Sequence, residues 1–239
     1  MSFHSESNSP PLALRLLCAL LLLIVLIGTS GCSIFVMAGK AIFGDPKVQS
    51  PFTAATGKKL TDSDESVVII CDAPHRILSS FPSVQIDLLD RVSRDLETQG
   101  INVVPSGDVA RWYDDHGEWG DFSELAKEFE AGYVLHIDLR KFDHRVPESE
   151  TLMQGKAEGH ISVYHVNNGR STKLSPALTE YSSPGTVVFD RDFKVEFPTT
   201  YPVARESRSE DQFVQEFMDR TALHLSQHLY DYRMSESIH

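Results

Sequence analysis

Residues 121–142 read DFSELAKEFEAGYVLHIDLRKF, a stretch in which a helix pattern passes into a strand pattern across one glycine. Asp121 and Glu124 form a D-x-x-E start that is typical of a helix N-terminus, and Gly132 marks the end of that helix. From Val134 onward apolar and polar residues alternate, as in a strand with one wetter face. A helix that leads directly into a strand is typical of an α/β layer. We expect this strand to lie near the sheet edge.

The same combination of strand and helix occurs upstream. Residues 66–73 (SVVIICDA) form a nearly continuous apolar run rich in β-branched side chains, which predicts a central strand covered on both faces. Apolar residues then recur at helical spacing over residues 83–99, and Gly100 fits the C′ position of that helix. Residues 101–104 (INVV) follow at once and predict a second short strand. The fold class is therefore α/β, with α+β as the alternative.

Downstream segments complete the expected sheet. Residues 159–166 (GHISVYHV) alternate, residues 167–169 (NNG) are a strong turn signal, and residues 186–197 offer a pairing partner, whereas residues 143–156 are charged and irregular. Residues 212–232 carry an apolar stripe at helical spacing, which predicts a long C-terminal amphipathic helix. We expect a mixed sheet of about 4–5 strands packed by about 3–4 helices.

An apolar segment near the N-terminus predicts membrane attachment. Residues 16–27 (LLCALLLLIVLI) have the length of a signal-peptide core and are shorter than the roughly 20 residues of a spanning helix. Residues 30–32 (SGC) resemble the lipobox of bacterial lipoproteins, which implies acyl chains on Cys32. If residues 33–39 (SIFVMAG) continue the run, the segment is instead an uncleaved transmembrane anchor. A soluble protein released by cleavage is the third alternative.

Composition limits the partners. The chain has 239 residues and a formal net charge of -12, and removing residues 1–31, which carry one base and one acid, leaves that charge unchanged. An acidic body repels nucleic acid and anionic lipid head groups, so the tether must hold the membrane. With residues 1–31 as signal peptide or anchor and 32–65 as tether, the single domain at 66–235 keeps one thiol, Cys71. We expect no disulfide, zinc site or cofactor.

The order of elements over residues 66–168 resembles the periplasmic α/β domains of envelope lipoproteins in the group that includes the CsgG, LpoB and TolB N-terminal domains. In that group a Leu-Ala pair followed by a Gly-Ala-Asp-Tyr-Val-Leu segment leads into a strand, as LA at 125–126 and AGYVL at 131–135 do here. The loop at 112–119 is longer than that pattern. The resemblance implies an adaptor or assembly role and carries no catalytic residue with it.

The loop at 112–119 (WYDDHGEW) holds the candidate partner-binding residues Trp112, Tyr113, Asp114, Asp115 and Trp119. Exposed aromatic side chains beside carboxylates are suited to contact with a partner protein. The alternative is structural, with Trp112 packed into the core and the following residues forming only a turn.

Two pairs of residues that contain histidine could support catalysis or metal binding, and each pair also has a structural explanation. His136 and Asp138 point to one face of a strand, so they suit acid–base work in a cleft or a hydrogen-bonded surface pair. His224 and His228 have the spacing of helical metal ligands, with Asp231 three residues on, or they form the polar flank of the helix. Neither a G-x-S-x-G elbow nor a P-loop occurs.

These patterns favour a membrane-tethered, non-catalytic binding or assembly module of the cell envelope, with its folded domain on the periplasmic side and an envelope protein as its partner. Two alternatives stay open at this point: a metal-dependent or hydrolytic envelope enzyme, and a passive structural lipoprotein.

Overall fold

The computed structural model describes residues 45–116, 122–166 and 185–236, so the apolar segment and Cys32 lie outside the described residues. The chain divides into a unit up to Pro46 and a compact unit from Lys47 onward, and the following concerns the second unit. Its elements in chain order are β1 (Lys47–Val48), α1 (Pro51–Thr56), a 3-10 turn (Leu60–Asp62), β2 (Val67–Asp72), α2 (His75–Leu78), α3 (Val84–Thr98), α4 (Ser106–His116), α5 (Phe122–Glu128), β3 (Tyr133–Arg145), β4 (Leu152–His165), β5 (Thr186–Phe197), β6 (Val203–Ala204), α6 (Glu210–Ser226), β7 (Tyr232–Arg233) and a 3-10 turn (Met234–Glu236).

A five-stranded mixed sheet forms the centre of this unit. The hydrogen-bonded order is β2-β3-β4-β5, with β6 paired to the start of β4. β2 and β3 are parallel, and the pairs β3–β4, β4–β5 and β4–β6 are antiparallel. Parallel neighbours need a crossover, which here runs through α2 to α5. The α/β class and the sheet predicted from the sequence are confirmed, and the described residues hold six helices where three to four were expected.

Helices cover both faces of the β2–β3 side of the sheet. α3 packs on β2, α6 packs on β4 and β5, and these two helices contact each other, so they share one face. The rings of Phe142 on β3 and Phe217 on α6 stack there with centroids 4.7 Å apart. On the opposite face, Phe122 at the start of α5 contacts the ring of His136 on β3. Burial of these apolar side chains is the main stabilising term of the layered core.

Two sequence signals fix the ends of the helices on the first face. Ser209 caps α6 by accepting a hydrogen bond from the backbone N–H of Gln212. Gly100 follows α3 with φ at +82°, the left-handed conformation that was expected of it. Side chains then join the helices, since Arg91 on α3 donates to Asp219 and Gln215 on α6.

The folded unit begins upstream of the predicted boundary at residue 66. Ser50 caps α1 by accepting a hydrogen bond from Thr53, and Gly57 ends it in the left-handed conformation. Phe52 in this helix is fully buried against the rings of Tyr133 and Phe189. Residues 47–62 are therefore part of the domain, whereas the sequence placed them in the tether.

Five expectations about individual elements were wrong. β2 was expected at the centre, but it ends the strand order and meets residues 101–104 through a single bridge, from Val67 to Val103. β3, expected near the edge, lies between β2 and β4, and β3 and β4 extend into the region expected to be irregular. α6 ends at Ser226 instead of Tyr232, because β7 turns away to pair with β1.

Candidate functional site

A groove between α3 and α4 lies beside the predicted partner-binding residues. Its cavity of about 250 Å³ is lined by apolar side chains and by polar groups at the rim, namely Pro82, Gln85, Ile86, Leu89, Ser106, Val109, Ala110, Tyr113 and Asp114. The floor forms because α3 and α4 both turn their apolar stripes toward β2, which leaves a furrow between the two helices. The apolar side chains that line the groove are thus continuous with those of the hydrophobic core.

The two aromatic residues of the described part of the loop are packed inward. Trp112 is half-buried, stacks on the imidazole of His116 with centroids 4.4 Å apart, and meets Tyr113 edge to face. Tyr113 is buried, and this burial, with the nearby charge of Asp72, raises the pKa of its hydroxyl. His116 fixes the end of α4 by a hydrogen bond from its Nδ1 to the Trp112 carbonyl, 2.9 Å away. Of these three rings, that of Tyr113 lines the groove.

The two acidic residues in the described part of the loop differ in position. Asp114 and Asp115 are both exposed at the end of α4, but only Asp114 lines the groove. Successive positions on a helix lie about 100° apart, so Asp115 is turned away from the furrow. Trp119 lies outside the described residues. The structure therefore places one carboxylate of the predicted set at the groove.

Sequence reasoning missed Ile86, the side chain that makes the groove accessible and apolar. Ile86 on α3 is 56% exposed at the rim. The buried stripe of the same helix contains Leu88, Leu89, Val92 and Leu96, and Ile86 lies off that stripe. An apolar residue outside the core-facing positions of an amphipathic helix was the available signal.

The His136 pair has a partner that the sequence did not indicate. His136 Nε2 donates to Asp72 Oδ2 at 2.8 Å across β2 and β3, while Asp138 pairs with Arg140 on its own strand. Because β2 and β3 are parallel and in register, Ile70 lies opposite His136, and Asp72 reaches it from one pleat further on. His136 and Asp138 thus do share a face without bonding each other. The hydrogen bond to Asp72 and the contact with the Phe122 ring account for the orientation of His136, and the pairing with Arg140 accounts for that of Asp138.

A buried histidine on β3 binds the first residue of α6. His144 near the end of β3 is buried, and its Nε2 lies 2.5 Å from Glu210 Oε1, whereas its buried Nδ1 has no hydrogen-bond partner. The hydrogen bond from His144, followed by that from Arg205, lowers the pKa of Glu210. A cavity of about 650 Å³ opens beside this pair, with Phe81 and Phe142 at its floor and both acids and bases at its rim.

His224 and His228 do not share a face with Asp231. Asp231 accepts from the backbone N–H of Ser50 and pairs with Lys59, on the β1 side of the unit. Burial lowers the pKa of His224 to about 4, and it also lowers the pKa of His228. Within the described ranges, no three histidine, cysteine or acidic side chains are grouped as metal ligands would be.

Two further findings concern the cysteine and the membrane. Cys71 is fully buried in β2, and burial raises the pKa of its thiol, as in an unreactive structural cysteine. In the part of the chain that the structure describes, no helix has the length and apolar character needed to cross a membrane.

Comparison with known proteins gives structural likeness only. No protein-family model and no curated protein matches the sequence. Among solved structures, the chain is similar to the lipoprotein GNA1162 from Neisseria meningitidis, with 9% identity, a TM-score of 0.40, and coverage of 68% of this chain and 98% of that one. It is also similar to the PelC dodecamer from Paraburkholderia phytofirmans, with 12% identity, a TM-score of 0.38, and coverage of 77% and 96%.

The C-terminal domain of LpoB from Salmonella enterica is similar at 8% identity and a TM-score of 0.27, with coverage of 60% of this chain and 97% of that one. Lipoproteins and an LpoB domain are thus among the similar structures, as the resemblance in the sequence predicted. At these TM-scores the likeness assigns neither a family nor a function to the chain.

Proposed function

We propose that this chain is a membrane-tethered, non-catalytic binding module of the cell envelope that engages a partner protein through the groove between α3 and α4. The observation that carries the proposal is Ile86, which is 56% exposed at the rim of an apolar furrow. Large exposed apolar side chains that adjoin a groove are typical of interaction sites.

Charge at the rim indicates the chemistry of the partner. Asp114 is the exposed carboxylate at one end of the groove. At the other side, Asp87 on α3 binds Ser83, and Asp90 binds Arg94 and Ser106, so both are held in local contacts. An apolar side chain flanked by a basic residue complements this arrangement, because it fills the furrow and pairs with Asp114. The proposed partner therefore presents an apolar anchor beside a lysine or arginine.

Attachment to the envelope rests on the sequence before Asp45. The apolar run at residues 16–27 and the lipobox-like SGC at 30–32 support a lipid-modified Cys32, and two or more acyl chains anchor a protein stably. Mass spectrometry of the mature N-terminus tests this. An acylated Cys32 at the terminus supports the lipoprotein, and an intact segment that retains Arg15 supports the uncleaved anchor. A mature protein that lacks both contradicts the tether.

Crosslinking in intact cells tests the binding role. We expect the full chain to give one dominant crosslinked partner, and we expect Ile86→Ser and Asp114→Asn each to reduce its recovery. Asp115→Asn is the matched control for charge, and Tyr201→Ser, at a side chain that is 81% exposed elsewhere, is the control for an exposed aromatic. Recovery of no partner, or equal losses in the control variants, would contradict the proposal.

A further inference from the structure

A third cavity, remote in sequence from the α3–α4 groove, brings together positive and imidazole groups in an acidic protein. It measures about 300 Å³ and is lined by Pro51, Arg191, Asp192, Phe193, Lys194, His224, Gln227, His228 and Tyr232. This is the lower end of the size range of ligand pockets. The chain as a whole carries a formal charge of -12, so the local charge opposes the overall balance.

The carboxylates next to Arg191 in sequence are paired with other side chains, although Asp192 also lines the cavity. Alternation along β5 places Asp190 and Asp192 on one side and Arg191 on the other. Asp192 Oδ1 binds His160 Nδ1 at 2.9 Å, and Asp190 Oδ2 lies 3.8 Å from His160 Nε2. The acids that flank Arg191 in sequence are therefore engaged with His160. Arg191 and Asp192 thus both line the cavity, and Asp192 is already paired with His160 and Arg140.

Two imidazoles at the end of α6 line the same cavity as Arg191. The rings of His224 and His228 are 4.9 Å apart, and His228 is 8% exposed. His228 Nδ1 donates to the His224 carbonyl at 2.8 Å, which leaves Nε2 as its second polar atom. Burial is the main cause that lowers the pKa of each imidazole, and the charge of Arg191 lowers it further. Arg191 thus lies within electrostatic reach of both rings.

A cation does not suit this site, because Arg191 already repels positive charge from the imidazoles. A dianion does suit it, because it pairs with the guanidinium and favours the protonated imidazoles as donors. Phosphate has enough oxygen atoms to accept two hydrogen bonds from the arginine and one from each imidazole. The two oxygen atoms of a carboxylate are both used by the arginine. Lys194, at the rim, is already paired with Glu196 at 3.2 Å.

We propose that Arg191, His224 and His228 form a binding site for a phosphate ester, with Arg191 as the principal anchor. A phosphate group here has two sources, a lipid head group or a soluble phosphate compound. The lipid source rests on the proposed tether: Pro51 and Tyr232 line the cavity, and Tyr232 pairs with Val48 in β1, the first strand of the described unit.

The test uses the full chain, isotope-labelled at histidine, in micelles of a sugar-headed detergent that contains no phosphate. Inorganic phosphate is titrated while the resonances of His224 and His228 are followed by NMR. We expect saturable shifts and a raised pKa for both imidazoles. The other charged or titratable side chains that line the cavity are Arg191, Lys194, Tyr232 and Asp192.

Substitutions distinguish phosphate binding at this cavity from a general electrostatic effect of phosphate on the protein. We expect Arg191→Gln to weaken phosphate binding by about tenfold, and Arg191→Lys to weaken it less, because the charge is kept and the fork is lost. Arg94→Gln is the matched control, since Arg94 is an exposed arginine on α3 paired with Asp90. Absence of saturable shifts in the unaltered chain, or equal effects of Arg191→Gln and Arg94→Gln, would overturn the proposal.

Nanodiscs then identify the source of the phosphate. If phosphatidic acid in phosphatidylcholine nanodiscs shifts the two histidines and blocks inorganic phosphate, the ligand is a lipid head group. If the nanodiscs leave the histidines unshifted and inorganic phosphate still binds, the ligand is a soluble phosphate compound. Both outcomes support the site, and neither depends on Ile86 or Asp114. A failure of partner crosslinking and a failure of phosphate binding are thus separate results.

Discussion

Replacing Phe52 by Ala tests whether the domain begins at Lys47. The side chain is fully buried, and its ring meets those of Tyr133 and Phe189 at centroid distances of 6.3 and 6.1 Å. Truncation of a buried Phe costs about 3–5 kcal/mol through lost burial and the cavity left behind. Each aromatic pair adds about 0.5–1.5 kcal/mol beyond burial. We therefore expect a loss of about 4–5 kcal/mol in the free energy of unfolding.

That loss is large beside a total stability of about 5–15 kcal/mol, and it corresponds to a fall of about 8–20 °C in Tm. Urea unfolding of the full chain in a nonionic detergent, followed by circular dichroism, measures it. Tyr201→Ala is the control, because a side chain that is 81% exposed should change the stability by no more than about 0.5 kcal/mol. A loss below about 1 kcal/mol for Phe52→Ala would refute the reasoning, since that is the size expected of a residue in a free tether.

Three other perturbations test the core and its titration. The pKa of His224 is about 6.5 in the unfolded chain and about 4 in the folded chain, so the unfolded state binds the proton first as the pH falls. Acidification from pH 6.5 to pH 4 should therefore lower the free energy of unfolding by up to about 3 kcal/mol. Urea unfolding at these two pH values should show a smaller loss in His224→Gln. Gly159→Ala should lower the free energy of unfolding by about 2 kcal/mol or more, because a methyl group there overlaps the carbonyl oxygen of Asp138. Gly107→Ala in α4 has open space around the new methyl group and should raise the free energy of unfolding by about 0.5–1 kcal/mol. Thermal unfolding measures both variants, and shifts of the same sign in Tm would contradict this prediction. Cys71 should resist iodoacetamide until urea unfolds the domain, and peptide mapping that finds it alkylated in the native protein would contradict its burial.

Most helices and strands could be predicted because each depends on a pattern of residues that are close together in the sequence. The apolar run of β2, the stripe of α3 and the alternation of β3 all appear in the structure within a few residues of the expected bounds. Strand order was not predictable in the same way. A strand covered on both faces by helices gives a continuous apolar run whether it lies at the centre or at the end of the sheet. The run at residues 66–73 therefore could not distinguish these two positions.

The start of the domain could have been found from capping signals. Ser50 at the N-cap, Pro51 at the first helical position and Gly57 at C′ are the residues that such a helix prefers. The end of α6 had no comparable local signal. Its sequence continues the apolar stripe to Leu229, and only the pairing of β7 with β1, far away in sequence, turns the chain aside.

The candidate site was partly predictable for a related reason. Composition drew attention to the loop at residues 112–119, but it could not show that Tyr113 is buried, because aromatic side chains serve cores and interfaces equally. The Asp72–His136 bond depends on the register of two parallel strands that are 64 positions apart in sequence. Pairings across such a distance follow from tertiary packing and leave no spacing that can be read along the chain.

The pairing of β1 with β7 has a mechanical consequence. Lys47 and Val48 lie opposite Arg233 and Tyr232, and the backbone of Phe52 donates to the carbonyl of His228 at 2.9 Å. A force applied to Lys47 along the axis of β1 would load these hydrogen bonds in shear, so that they would resist together and would not open one at a time. Behind them, the ring of Phe52 is held inside the core and would have to leave it before the sheet feels the load. A domain tied to a surface at this end is thus built to bear tension at its point of attachment.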